Sequence, residues 1–188
     1  MQEKIVIRKK ALINRKKKYF EVSEQFFKPL LVLINKKKKN ISLSLYYPAN
    51  YEVNVLKLFK LIKKKNIKTL LPVTKIKNEM KFVEWQYLDP LQVNKFGMLD
   101  PCHEVESSIP DIMLVPLLAF DPQNNRLGYG KGFYDKYLSR FSLKKKHITT
   151  IGVAFSFQIY NELPVSKLDI KLNYILTEKG LQKWKYLF

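Results

Sequence analysis

The sequence predicts an α/β protein whose central sheet is largely parallel, and three observations carry that expectation. Short apolar runs alternate with helix-spaced segments along the chain, the pattern left by parallel strands joined through crossover helices. One such run, residues 112–115, leads into a loop with three glycines in five residues and then an amphipathic segment. The chain has 188 residues and 46% hydrophobic content, which suits a single domain over residues 1–188 with its own core.

The elements follow in order. Residues 4–18 read as a basic helix, and Ser23-Glu24-Gln25-Phe26 reads as the capped start of a second helix running to about Ile34. Residues 41–46 alternate apolar and small polar side chains, as a strand does, until Pro48 ends them. A loop then carries Glu52 into a helix on which Val55, Leu58, Phe59 and Ile62 share one face. Strands are expected at residues 68–73 and 81–85, and a short apolar one at 112–115, between Pro110-Asp111 and Pro116. Tyr134, Tyr137, Leu138 and Phe141 repeat the helical spacing, and residues 149–154 and 173–176 supply two late strands.

The net charge of +19 is unevenly spread: residues 1–40 carry 13 Lys/Arg against 3 Asp/Glu, and residues 81–125 carry 2 against 7. Only Arg8, Arg15, Arg126 and Arg140 are arginines, whereas nucleic-acid readers draw on Arg for bidentate base contacts. Lysine alone still suffices for phosphate affinity. The lysine runs at residues 16–18, 36–39, 63–65 and 144–146 fall near expected helix ends, where lysine complements the dipole and stays solvated. The charge is therefore read as surface, and nucleic acid is not the expected partner. No apolar run approaches the roughly 18 residues needed to cross a bilayer, so no membrane contact is expected. The first residues lack a secretory apolar core, and the single Cys102 has no internal disulfide partner, so a cytoplasmic location is expected. Cys102 and His103 are neighbours whose side chains diverge, and two histidines with one cysteine make no zinc set.

Half of the six glycines, Gly128, Gly130 and Gly132, lie in RLGYGKGFYDKYL. Backbone without Cβ can curl its N–H groups around an anion, and a helix start adds positive dipole there. Arg126 and Lys131 add two cations, which makes ATP the first ligand to consider. The loop is not a P-loop, because Gly132 rather than Ser/Thr follows Lys131, and its G-x-G-x-G spacing is not the dinucleotide fingerprint. By chemistry alone, a structural turn before a helix competes with a phosphate cradle. A basic RNA-binding protein and a phosphosugar enzyme on a similar scaffold are readings from other classes.

RLGYGKGFYDKYL, preceded by LVPLLAFD, resembles the signature of the 5-formyltetrahydrofolate cyclo-ligase family. The resemblance implies a three-layer Rossmann-like sandwich and a monomer that uses Mg²⁺ with ATP as co-substrate. It also implies conversion of a reduced folate, 5-formyltetrahydrofolate, to 5,10-methenyltetrahydrofolate with release of ADP and phosphate. Arg126, Leu127, Gly128, Tyr129, Gly130, Lys131, Gly132, Phe133 and Tyr134 then form the ATP loop, with Arg126 and Lys131 catalytic. KIVIR, residues Lys4, Ile5, Val6, Ile7 and Arg8, matches a K-x-x-x-R pattern that contacts ATP phosphates, and Lys4 and Arg8 share a helix face. Asp135 sits where a carboxylate favours the helix dipole, but the resemblance makes it a Mg²⁺ residue, with Asp169 the second. Tyr47, Glu52, Phe96 and Tyr134 match substrate contacts; an aromatic at Phe96 can stack on a flat bicyclic ring. The chain departs from the family pattern at Asn54-Val55, Asp100 and Asn173, where Asp-Thr, Glu and Asp are more usual.

Overall fold

The computed structural model describes residues 2–37, 40–63, 65–75, 79–102, 107–142 and 147–183. The lysine run 144–146, His103, and parts of the runs 36–39 and 63–65 lie outside the described residues.

The first helix, α1 (Gln2–Lys18), buries only Ala11 and Arg15 completely. Lys4, Arg8, Ala11 and Arg15 stand at i, i+4, i+7 and i+11, so one narrow stripe carries them all. The helix expected to start at Ser23 is in two pieces, a 3₁₀ turn Glu24–Phe27 and then α2 (Lys28–Asn35). Ser23 supplies its carbonyl rather than its hydroxyl, accepting from Phe26 N–H at 3.1 Å, and Pro29 opens the α-helical part. Strand β1 (Ile41–Ser44) ends two residues before the expected boundary. The next helix is likewise split, into a 3₁₀ turn Val55–Lys57 and α3 (Leu58–Ile62), with Val55, Leu58 and Ile62 buried as the spacing requires.

The remaining strands are β2 (Ile67–Lys75), β3 (Glu79–Glu84), β4 (Leu91–Val93), β5 (Leu99–Pro101), β6 (Ile112–Pro116), β7 (Ala119–Phe120) and β8 (Arg126–Leu127). After α4 (Phe133–Ser142) come β9 (Thr149–Val153), β10 (Tyr174–Thr177) and β11 (Gly180–Lys183). Seven strands form one sheet in the order β11-β10-β9-β6-β1-β2-β3. Every pairing from β10 through β2 is parallel, and the edge strands β11 and β3 run antiparallel to their neighbours. The largely parallel sheet predicted from the alternation of elements is therefore present.

Side-chain alternation along β6 makes the three layers. Ile112 and Leu114 join the core under α2 and α3, with Leu30, Ile34, Leu58 and Ile62. Met113 and Val115 point to the other core, with Tyr137 and Leu138 of α4. A strand buried on both faces reads as a continuous apolar run, which is why this one was the clearest in the sequence. Gly152 in β9 permits the tightest packing: a Cβ there would lie 2.7 Å from side-chain atoms of Leu117, Leu172 and Ile175.

Candidate active site

A cavity of about 390 Å³ opens beyond the carboxyl ends of β1, β2 and β6, the position at which open parallel sheets bind ligands. Its size lies in the range of roughly 300–1,000 Å³ usual for small-molecule sites. Tyr47, Glu52, Phe96, Arg126, Tyr134 and the glycine loop from Gly128 to Phe133 all line it, so most of the residues singled out in the sequence meet here. Lys4, Ile5, Val6, Ile7, Arg8, Leu127, Asp135 and Asp169 are not on its wall. Ile5 and Val6 are exposed on α1, while Ile7 packs beside buried Leu127.

Glu52 is presented by a turn after β1. Its backbone N–H donates to Ala49 O, and its Oε2 accepts from Ala49 N–H, both at 3.0 Å. Asn50 and Tyr51 in that turn have φ of 48° and 62°, a left-handed conformation that non-glycine residues adopt at a cost. Glu52 is only 7% exposed, and its Oε1 accepts the Tyr129 hydroxyl at 2.9 Å. Burial pushes its carboxyl above the usual carboxylate range, against the pull of the Ala49 N–H, the Arg15 charge and the Tyr129 hydroxyl. The Tyr129 hydroxyl is pushed up to about 12, by burial first and then by the Glu52 charge. Tyr134 is displaced upward for the same two reasons.

The glycine loop has φ of +95° at Gly130 and +69° at Gly132. Arg8 lies directly on it: its Nε donates to Gly128 O at 2.8 Å, and a Cβ on Gly130 would stand 3.1 Å from the guanidinium carbon. The backbone angle therefore favours glycine at 130, and a side chain there would also have to displace the Arg8 guanidinium by a few tenths of an ångström. Lys131 is exposed, with its ammonium 5.9 Å from the centroid of the Phe96 ring, and the Phe133 ring meets Phe96 edge-on at 5.5 Å. Phe96 is half-buried at the cavity wall.

The Arg126 side chain is only 5% exposed and is already engaged: Nη2 donates to Asp135 Oδ1 at 2.7 Å and Nη1 to Ile170 O at 2.5 Å. Ile170 N–H also donates to Asp135 Oδ1, at 3.0 Å, which brings the residue following Asp169 against Asp135. Asp169 Oδ2 accepts from Lys4 Nζ at 2.5 Å and from Ser166 N–H at 2.6 Å. Burial opposes ionisation of Asp169, but the Lys4 ammonium and the Ser166 amide outweigh it and hold its carboxyl below the usual range. These bonds use Oδ1 of Asp135 and Oδ2 of Asp169, so the second oxygen of each is the one a hard cation would take. Among the described residues no group of three or more His, Cys, Asp or Glu gathers into a metal cage. Each of the two carboxylates is already paired with a cation, Asp135 with Arg126 and Asp169 with Lys4; Mg²⁺ keeps water and phosphate for most of its ligands and needs only one or two carboxylates.

The three departures from the family pattern each have a structural use. Asn54 caps the 3₁₀ turn by accepting from Leu56 N–H at 3.2 Å. Asp100 accepts from Thr74 N–H at 3.1 Å, tying β5 to β2. Asn173 Oδ1 accepts from Thr150 N–H at 2.8 Å, tying the start of β10 to β9.

The sequence reading missed Arg15. It is 1% exposed, donating from Nε to Asn50 O and from Nη1 to Leu117 O, each at 3.0 Å, and from Nη2 to the Tyr129 hydroxyl. The signal was present: Lys4, Arg8 and Arg15 stand at i, i+4 and i+11 on one helix face, and Arg is the rarer cation in this chain.

Sheet, cavity and glycine loop together define an α/β enzyme with a small-molecule site at the strand ends. The family profile described as "5-formyltetrahydrofolate cyclo-ligase family" matches residues 1–178, and the chain belongs to that family. A 5-formyltetrahydrofolate cyclo-ligase of Haemophilus influenzae is 31% identical over 153 residues, covering 78% of this chain and 80% of the relative. One from Mycoplasma genitalium is 35% identical over 130 residues, 62% of this chain and 76% of its own length. The solution structure of a 5,10-methenyltetrahydrofolate synthetase from Aquifex aeolicus superposes with a TM-score of 0.71 at 30% identity, over 97% of this chain and 93% of that one. Its counterpart from Mycoplasma pneumoniae gives a TM-score of 0.68 at 26% identity, over 93% and 98% of the two chains. Among the described residues no helix is long and apolar enough to cross a membrane.

Proposed function

We propose that the protein converts 5-formyltetrahydrofolate to 5,10-methenyltetrahydrofolate, consuming ATP with Mg²⁺ and releasing ADP and phosphate. The observation that carries this reading is a single cavity lined both by a buried carboxylate, Glu52, and by a glycine loop with an exposed cation, Lys131. Each Glu52 oxygen already accepts one hydrogen bond. Each oxygen keeps further acceptor capacity, and two carboxylate oxygens are what the paired N–H donors of an aminopyrimidine edge, as on a pterin, require. Tyr47 and Tyr134 line the same space, and the Phe96 ring offers a face to the bicycle.

The chemical difficulty is a formyl oxygen that leaves poorly from an amide-like carbon. Transfer of the γ-phosphoryl group to that oxygen breaks the bond to ADP and gives an iminium-like phosphate ester. N10 then attacks the formyl carbon and loses its proton. Departure of phosphate carries the oxygen away and leaves the methenyl bridge between N5 and N10. The protein needs no nucleophile of its own; it aligns two substrates and neutralises charge. Lys131 faces the transferring group and the glycine amides cradle the polyphosphate, while Arg8 braces that loop through Gly128 O and Lys4 holds Asp169. Arg126 acts chiefly by holding Asp135, which with Asp169 would hold Mg²⁺; that ion supplies charge neutralisation on the phosphates. The chain works as a single-domain monomer in the cytoplasm.

The test is formation of the methenyl chromophore by purified protein from 5-formyltetrahydrofolate, with ATP and Mg²⁺ each omitted in turn. Product is expected only when both are present. Equal product without ATP, or no product from folded protein, contradicts the reading.

A further inference from the structure

We infer that Arg15 and Tyr129 are positioning residues for the folate: together they fix the Glu52 carboxylate and tie it to the nucleotide loop. This rests on the cyclo-ligase reading above and adds to it how the recognition carboxylate is held.

Arg15 is an unusual residue for its element. α1 is otherwise a surface helix, yet this one guanidinium is 1% exposed. A buried cation is tolerated only when its N–H groups are satisfied, and each bond here goes to a different segment. Nε holds Asn50 O in the turn that presents Glu52, Nη1 holds Leu117 O just past β6, and Nη2 holds the Tyr129 hydroxyl in the glycine loop. The first bond pins the two consecutive left-handed residues, Asn50 and Tyr51. Strained backbone of this kind persists only when its surroundings determine it.

The direction of the relay is also determined. A guanidinium has no acceptor, so the Tyr129 oxygen must accept from Arg15, and its proton must go to Glu52 Oε1 at 2.9 Å. With Oε2 on Ala49 N–H, both ends of the carboxylate are set before any substrate arrives. Tyr129 lies between Gly128 and Gly130, and Arg8, two turns back on α1, bonds Gly128 O. One helix therefore fixes the nucleotide loop at Arg8 and the folate carboxylate at Arg15.

The groups facing Glu52 are Tyr129 from the loop, Arg15 from α1, Tyr46 from the end of β1 and Tyr134 from α4. Of these only Arg15 is charged at neutral pH. Arg15 and Tyr129 both favour ionised Glu52, so weakening either one raises its carboxyl further.

The test uses the full chain with Tyr129→Phe, which removes one oxygen, and Arg15→Lys, which keeps the charge but not the three-way fork. Wild-type protein is first required to make product. Tyr129→Phe is then expected to raise the folate KM by roughly ten-fold or more, the effect of losing a hydrogen bond to a charged group, with the ATP KM held within about three-fold. The acid limb of kcat/KM for folate should move to higher pH, because the carboxylate protonates earlier; a purely structural role would not move that limb. Arg15→Lys should shift the same two readouts in the same direction; if it does not fold, Tyr129→Phe decides alone. An active wild type together with an unmoved folate KM and acid limb in Tyr129→Phe overturns the inference alone. So does an equal rise of both KM values. A silent wild type overturns the cyclo-ligase reading and this inference with it.

Discussion

Glu52 sits 7% exposed with both carboxylate oxygens bonded, whereas Lys131, on the wall of the same cavity, is exposed with its ammonium over the Phe96 ring. The Glu52 end is buried, strained at Asn50 and Tyr51, and cross-braced by Arg15. The glycine-loop end is open and cationic, built from backbone whose angles only glycine takes easily. The difference suits the two ligands of the proposed reaction. A neutral planar edge gains most from donors and acceptors already desolvated and aligned, since ordering them costs nothing at the moment of binding. A polyphosphate brings its own charge, and solvated cations can wait for it without the penalty of a buried, unpaired ion.

The largest effect that could break this contrast is at the open end. Lys131→Ala should lower kcat/KM for ATP by roughly ten-fold to a thousand-fold, as loss of a contact to transferring phosphate does. Steady-state kinetics checks it, and a loss under two-fold would mean that Lys131 is only a lid on Phe96. Gly130→Ala comes next. It puts a side chain at φ +95° and 3.1 Å from the Arg8 guanidinium, so the ATP KM should rise by about ten-fold from a strain of about 1–3 kcal/mol. An unchanged KM in that variant would show the loop to be free of Arg8.

A third prediction concerns stability at the closed end. The folded-state carboxyl of Glu52 is raised, so it stabilises the fold below the ordinary carboxylate pKa, and that contribution is lost as pH rises through the raised value. The stability of Glu52→Gln relative to wild type should therefore increase from acid to neutral pH. Denaturant melts across that range would contradict this if the difference were flat. The smallest effect sharpens the contrast by its absence. Neutralising exposed Lys16, Lys17 and Lys18, the three residues after Arg15, should leave both KM values within about two-fold, because solvated charges are screened beyond roughly 8–10 Å at ordinary salt.

How much of this was legible depended on pattern length. The parallel centre was readable because residues 112–115 form an unbroken apolar run and the helices around it keep their period. The ribbons β4–β5 and β7–β8 have strands of two or three residues, too short to show any alternation, and β11 ends in polar Gln182 and Lys183. The second and third helices were expected as single pieces, but each begins as a 3₁₀ turn, a difference in hydrogen bonding that apolar spacing does not encode. At the site, the glycine loop stood out as a motif and Glu52 was reached only through the family resemblance; both line the cavity. The Arg126–Asp135 pair was invisible because the two residues are joined across the loop, and Arg15 was hidden in a helix crowded with cations, most of them exposed lysines.

The most direct test of a cavity with two differently built ends is a crossed measurement of the folate and ATP KM values in Glu52→Gln and Lys131→Ala. Glu52→Gln is expected to raise the folate KM by about ten-fold to a hundred-fold while the ATP KM stays within a few-fold, and Lys131→Ala is expected to do the reverse. Parallel changes in both constants for both variants, or an ATP defect in Glu52→Gln with folate binding intact, would contradict it.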